Sequence, residues 1–479
     1  MRKALYIAVL TGFISFVICL VFSGNVTSEY FPVMFYPLLY AVMGSFLIPS
    51  LMNGNNGGRI TSGIFMMLQW LRAVLLPSIG SISGYFSSIT YNTDSSSAAL
   101  ASWLFLYELI VSFATCYVAL RYSKKKESAR DQITGIQGRA SIYIIYILFA
   151  VVLYIVRGKG MYSFFRLSLT GIRASMSEAD TGLIISTLIE YGLNLLVVVI
   201  LYYNYKKFLE TNQKQYMWFA LIVALVRLCI ISSFSEGRLS IVYLFGAFLL
   251  LLPQLFVRYK KTITRSVSII AIAVIGMMTI YKSFSAFLYS SYSAAIANGV
   301  SNYNMLSLAS TIDIYFYGVR DIASNIYVTK QISIPTGTIF VDLLRNTFGL
   351  HYFFKGNANT TVALYNLYIY NGLSASGHLY SSLAYGNTYL TPIFAPITTA
   401  FNILFAVWIE NKLYRIRNID TYYIVCIAYI RLAATLFCNF PMAWNYASRS
   451  LVLGYVVIGF GSFLNRRKEK YIGRSVTSK

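Results

Sequence analysis

The chain has 479 residues, of which 57% are hydrophobic and only 11% charged, and its mean hydropathy is +0.62. No soluble domain of this length carries so much apolar surface, so the expected class is an all-α polytopic membrane protein with room for about twelve spans of roughly 20 residues. The formal charge of +23, from 39 Lys and Arg against 16 Asp and Glu, gathers in linkers between apolar runs, which is the positive-inside signal and argues against a nucleic-acid partner.

The opening "MRKALYIAVLTGFISFVICLVF" has a basic start and an apolar run with no small-x-small cleavage motif after it, and reads as a retained first span. Further spans are expected near 31–51, 60–79, 99–120, 141–156, 182–203, 216–234, 239–257 and 266–281, then near 386–409, 420–438 and 449–464. An alternating path places the basic linkers 121–139, 204–215, 258–265 and 410–418 and the tail 465–470 on one side. That side is the cytoplasm, with both termini in it.

Between the ninth and tenth expected spans lie residues 282–385, too polar for lipid contact, which read as one large external loop or small subdomain. Its first part has helix-like apolar spacing, whereas "QISIPTGTIFVDLLRN" and "GNANTTVALYNLYIYNGLSASGHLY" are rich in turn residues. The chain thus divides into 1–281 with spans one to nine, the loop 282–385, and 386–479 with the last spans and the basic tail. There is no internal repeat. The 5 cysteines lie in or beside apolar runs without metal-ligand spacing, and with 2 histidines in all, no metal and no cofactor is expected.

Some charges break the pattern. The external loop 157–181 carries Arg157, Lys159, Arg166 and Arg173, while Arg227 and Arg431 fall inside expected spans, where an unpaired charge is costly. Glu236, Gly237 and Arg238 stand between two apolar runs on the outer side, and Arg345 lies in the large loop. One such arginine can simply snorkel or pair with a nearby acid. Several guanidiniums on one side of a membrane make a clamp for phosphate or pyrophosphate. The 41 Tyr, many of them in the loop, are interfacial anchors for the most part, and a subset can stack on sugar rings.

Three segments carry a resemblance. "SFSEGRLSIVYLFGAFLLL" (233–251) looks like an outward Ser/Gly-Arg entry into a span, "GTIFVDLLRNTFG" (337–349) like a loop segment, and "SGHLYSSLAYGNTYLTPIFAPI" (376–397) like the polar, His-containing lead into the span after the large loop. In these segments and in its topology the chain resembles the bacterial Wzy-type repeat-unit polymerases of O-antigen and capsule, which are similar in plan to the O-antigen ligases. That resemblance implies a metal-independent glycosyltransferase of the bacterial cytoplasmic membrane acting on undecaprenyl-pyrophosphate-linked oligosaccharide, with a chain-length regulator and a flippase as further partners. Arg238, Arg166, Arg173 and Arg345 are the expected pyrophosphate ligands. Glu236 and His378 are the alternative catalytic bases, and Glu236 can equally be a local partner of Arg238. A flippase of the same lipid-linked sugars and a ligase-type transferase are the competing readings; the lopsided loop and the missing repeat weigh against the flippase.

Overall fold

The computed structural model describes residues 2–52, 57–89, 92–123, 133, 135–157, 179–233, 238–286, 304–354, 359–373, 375 and 377–476. Every regular element among them is helical and none is a strand. Without water in the bilayer, a helix satisfies its own backbone groups, and most of the described apolar runs of this sequence are helical. In chain order these are α1 (Arg2–Val21), α2 (Tyr36–Met52), α3 (Arg59–Trp70), α4 (Leu76–Ser83), α5 (Ser95–Tyr122), α6 (Ala140–Arg157), α7 (Ala179–Thr211), α8 (Lys214–Ser233), α9 (Arg238–Leu255) and α10 (Lys260–Ala286). The remainder are α11 (Met305–Tyr315), α12 (Val319–Ile332), α13 (Thr338–Arg345), α14 (Thr361–Ile369), α15 (Ser382–Leu390), α16 (Pro396–Leu413), α17 (Ile419–Ala434) and α18 (Phe440–Val476).

Among the described residues, Ser28–Met52, Arg59–Ser83, Ser95–Tyr122, Thr187–Thr211 and Phe440–Leu464 are long and apolar enough to cross a membrane. Ile241–Leu255 and Val257–Ala273 pass the same test as a pair that turns by 116°. These are the dimensions of a helical membrane protein. Shorter apolar helices occupy Leu5–Val21, Ala140–Val156 and Gln215–Ile230, where further spans are expected from the sequence.

The chain forms two compact units. The first comprises residues 1–127, 301–412 and 431–446. Its core is aromatic: Tyr36 stacks on Phe105 at 4.5 Å, and Phe65 meets Phe113 edge-on at 5.0 Å. Lipid is as apolar as such a core, so these rings contribute through close packing and ring-to-ring contact, about 0.5–1.5 kcal/mol per pair, rather than through transfer from water. At one end of the unit, Thr27 N–H donates to Phe86 O at 3.0 Å, Arg320 reaches the carbonyls of Tyr85 and Ser88, and Lys330 reaches Ser97 at 3.0 Å. At the other, Glu410 caps α3 by accepting from Ile60 N (3.0 Å) and from Thr61 N and Oγ1 (2.8 and 2.7 Å).

The second unit comprises 128–300, 413–430 and 447–479. Here the basic linkers 121–139 and 410–418, expected on one side, meet: Ile419 N–H donates to Gly135 O at 2.8 Å, and Asp420 accepts from Gln137 N, Gly138 N and Tyr143 Oη at 2.8, 3.0 and 2.6 Å.

Two expectations need correction. The two segments read as turn-rich contain α13 and α14, with α15 following directly, and the side chains that precede α14 and α15 act as caps: Thr360 accepts from Ala363 N and Ser381 from Ala384 N. Span ten was expected as a continuous run, 386–409, but helix stops at Leu390 and resumes at Pro396. Thr391, at φ 76°, ends α15, and Pro396 is suited to a first helical turn because it has no N–H to satisfy.

Candidate functional site

The first unit is built around two breaks in its helices. Residues 380–382 run antiparallel to 437–439, between α17 and α18: Ser382 N–H donates to Phe437 O at 2.7 Å and Asn439 N–H to Tyr380 O at 3.1 Å. Carbonyls released from helical pairing must find other donors. Asn402 of α16 supplies them, its Nδ2 donating to Leu436 O and Cys438 O at 2.8 Å each.

Beside this crossing lies Arg72, in a π-helical turn, Leu71–Leu75, that joins α3 to α4. Such turns are rare and collect at functional sites. The guanidinium is sandwiched by Phe437 at 3.8 Å and Phe105 at 4.5 Å, pairs with Glu108 at 2.9 Å, and donates through Nε and Nη2 to Tyr317 O at 3.1 and 2.9 Å. Glu108 also accepts from Thr399 Oγ1 at 2.5 Å. Arg72 and Glu108 side chains are each 1% exposed, so the pair stands in low dielectric and depends on this full set of partners. Tyr317 itself sits at φ 56°, a left-handed conformation that turns its carbonyl toward Arg72.

Two residues after Tyr317, α12 begins. Its N-terminus is capped by Asp313, whose carboxylate accepts from Arg320 N at 3.2 Å and Asp321 N at 2.8 Å. Asp321 is buried, and its Oδ2 has no hydrogen-bond partner among the described residues. Burial pushes its carboxyl well above the usual range; Asp313 adds to the shift and Arg72 opposes it. One helical turn on, Asn325 accepts from Ser381 N at 2.8 Å through Oδ1; its Nδ2 makes no short hydrogen bond among the described residues and has the Tyr365 hydroxyl as its neighbour. An unspent acceptor and a donor with no short hydrogen bond therefore lie on one face of α12. Together they match a hydroxyl, which gives one hydrogen bond and takes another.

Tyrosines flank this pair. Tyr365, whose hydroxyl lies 3.2 Å from Ser324 Oγ, is within electrostatic reach of Asp321 and packs edge-on against Tyr380 at 5.3 Å and His378 at 6.4 Å. His378 is half-buried beside Tyr370 at 5.3 Å, and its backbone is gripped by Asn366, N–H to Oδ1 at 2.8 Å and O from Nδ2 at 3.3 Å. Burial lowers the pKa of its imidazole below the ordinary 6.5, which favours the neutral ring near pH 7. Gly377, at φ 144°, abuts Tyr370, where a Cβ would collide.

A third carboxylate ties the helices of this region together. Asp342 of α13 accepts from Thr361 N and Oγ1 at 2.9 and 2.5 Å and from Tyr385 Oη at 3.0 Å. Burial raises its pKa, against the pull of Thr361 and Tyr385. Arg345 stands one turn further along α13, partly exposed and within electrostatic reach of Asp342.

Of the residues expected in the site, Arg345 and His378 are thus joined through Asp342, Thr361, α14 and Asn366. Arg238 opens α9 in the second unit, and its side chain lies outside the described residues. Glu236, Arg166 and Arg173 also lie outside the described residues. Sequence reasoning passes over Arg72, Glu108, Asp321, Asn325 and Asp342. A signal existed for the first two, which are charges of opposite sign inside expected spans 60–79 and 99–120. For the others, an acid in a polar loop carries no mark that tells it from a solvated one. Compared with protein-family models, curated proteins and solved structures, the chain shows no match.

Proposed function

We propose that the protein is a membrane glycosyltransferase that polymerises undecaprenyl-pyrophosphate-linked oligosaccharide repeat units into O-antigen or capsular polysaccharide on the outer face of the bacterial cytoplasmic membrane. The observation that carries this reading is the buried Asp321 and Asn325 pair, with its unspent acceptor and its donor that makes no short hydrogen bond, bordered by Tyr365, Tyr380 and His378. A glycosyl transfer must hold one sugar hydroxyl and remove its proton, and aromatic walls suit sugar faces.

In the reaction, the oxygen of an acceptor hydroxyl bonds to the anomeric carbon of the donor glycan. The bond from that carbon to the pyrophosphate oxygen breaks, its electron pair leaves with the lipid pyrophosphate, and the hydroxyl proton passes to Asp321 or His378. Arginines stabilise the departing charge, with Arg345 and Arg238 as the leading candidates and Arg166 and Arg173 beside them. Glu236 remains an alternative base.

Complementation of a polymerase-deficient strain of the source bacterium tests this, with the surface polysaccharide resolved as a ladder and membrane expression matched. Wild type restores the ladder; Asp321→Asn, which keeps the shape but cannot accept the proton, and Arg345→Gln collapse it toward single units. A full ladder from Asp321→Asn removes that carboxylate from the chemistry.

A second reading has its own observation. The helix breaks at 391–395 and 435–439 are of the kind that transporters use to hold substrate, which favours a flippase of the same lipid-linked sugars. No ladder from wild type, together with retention of lipid-linked units in the inner leaflet when the gene is deleted, selects the flippase.

A further inference from the structure

Arg227, an arginine that the sequence placed inside a span, belongs to the apolar stretch Gln215–Ile230 of α8 in the second unit. Its side chain is 2% exposed, and both of its polar contacts run through Nη2: Asn194 Oδ1 of α7 at 3.1 Å and Glu190 Oε1 of α7 at 3.8 Å. Nε and Nη1 are buried and have no partner among the described residues. On α17, Tyr423 is fully buried, its hydroxyl also has no partner among the described residues, and it lies within electrostatic reach of both Arg227 and Glu190.

The unmet groups share a sign. Guanidinium nitrogens only donate, and a phenol hydroxyl donates readily, so what is missing is an acceptor. Water can meet one such group, but two of the three nitrogens of this buried guanidinium lack acceptors among the described residues, a costly state for a charge. Glu190 does not relieve it, because it is 26% exposed and approaches only the nitrogen that Asn194 already holds. Unmet donors on two helices, part of a guanidinium fork and a phenol, suit an oxyanion, and a phosphate, with more oxygens than a carboxylate, has a separate acceptor for each.

We infer that Arg227 and Tyr423 form an internal binding site of the second unit for an oxyanion of the phosphate class, between α7, α8 and α17. The inference does not depend on the polymerase reading. Two sources share its chemistry: the phosphate of a lipid headgroup entering from the bilayer, and free phosphate entering from water.

Thermal unfolding of the purified full-length chain in neutral detergent tests it, with inorganic phosphate titrated against chloride at constant ionic strength, and separately with phosphatidylglycerol against phosphatidylcholine in mixed micelles. Wild type gains about 3 °C or more at saturation with at least one phosphate source. Arg227→Gln loses that gain, Arg227→Lys keeps part of it, and Tyr423→Phe, which keeps the ring and its packing, reduces it. A gain with phosphatidylglycerol alone assigns a lipid headgroup; a gain with inorganic phosphate assigns a free anion. The inference is overturned if neither source shifts wild type, or if Tyr423→Phe and Arg227→Gln both shift as wild type does. Should Arg227→Gln not yield folded protein, Tyr423→Phe and Arg227→Lys decide alone.

Discussion

At the scale of single residues, the buried charges of the first unit behave as a linked set. Arg72 spends its donors on Glu108 and Tyr317 O, and Glu108 spends its second oxygen on Thr399. Removing one partner leaves the other charge uncompensated in low dielectric. Glu108→Gln is expected to cost about 3–5 kcal/mol, read as a fall in the unfolding midpoint and in the monodisperse fraction on gel filtration in detergent. Replacing both residues with Leu should recover a substantial part of that loss, because the desolvation of both charges goes with them. A single variant as stable as wild type would show that the pair does not support the fold. The sequence displays both charges inside apolar runs but not their pairing, since 36 positions separate them and only the packing of α5 against the π-helical turn brings them together.

At the scale of elements, the segment 304–390 shows how short helices escape sequence reading. α13 and α14 have 8 and 9 residues, too few to be stable alone, and the Gly, Asn and Ser around them read as turns. What holds them is tertiary: Asp342 ties α13 to the start of α14 and to Tyr385 of α15. The cap residues Thr360 and Ser381 were legible signals, obscured by the density of turn formers about them. α15 also presses close on the turn that follows it, where a Cβ at Gly386 would strike the backbone of Ala395. Because backbone cannot swing aside as a side-chain tip can, Gly386→Ala is expected to destabilise by about 1–3 kcal/mol. Hydrogen exchange should speed up across 380–400. Gly337→Ala, with nothing near the added methyl, serves as the control and should leave exchange unchanged.

At the scale of the whole molecule, the ends of the first unit test the sidedness read from the basic linkers. Ser87 belongs to the end that carries Tyr85 and Ser88, and Leu373 is 90% exposed in the loop after α14; Lys412, also exposed, follows the Glu410 cap at the opposite end. The native cysteines are buried or half-buried, so single introduced cysteines can be followed against a quiet background. Ser87→Cys and Leu373→Cys are expected to react with a membrane-impermeant maleimide in intact cells, and Lys412→Cys only after permeabilisation. The opposite pattern would invert the assignment, and labelling of Ser87→Cys and Lys412→Cys from the same side would contradict it.

Hydropathy and charge are local or additive properties, so the sequence by itself determined the membrane class and the positions of most apolar helices. Pairing is not local. Which acid meets Arg72, where helix gives way to the extended crossing of 380–382 with 437–439, and which buried donors at Arg227 are left without acceptors depend on contacts between residues far apart in the chain. Those features were decided only by tertiary structure, because a buried polar group acquires its energy from the partners that packing supplies or withholds.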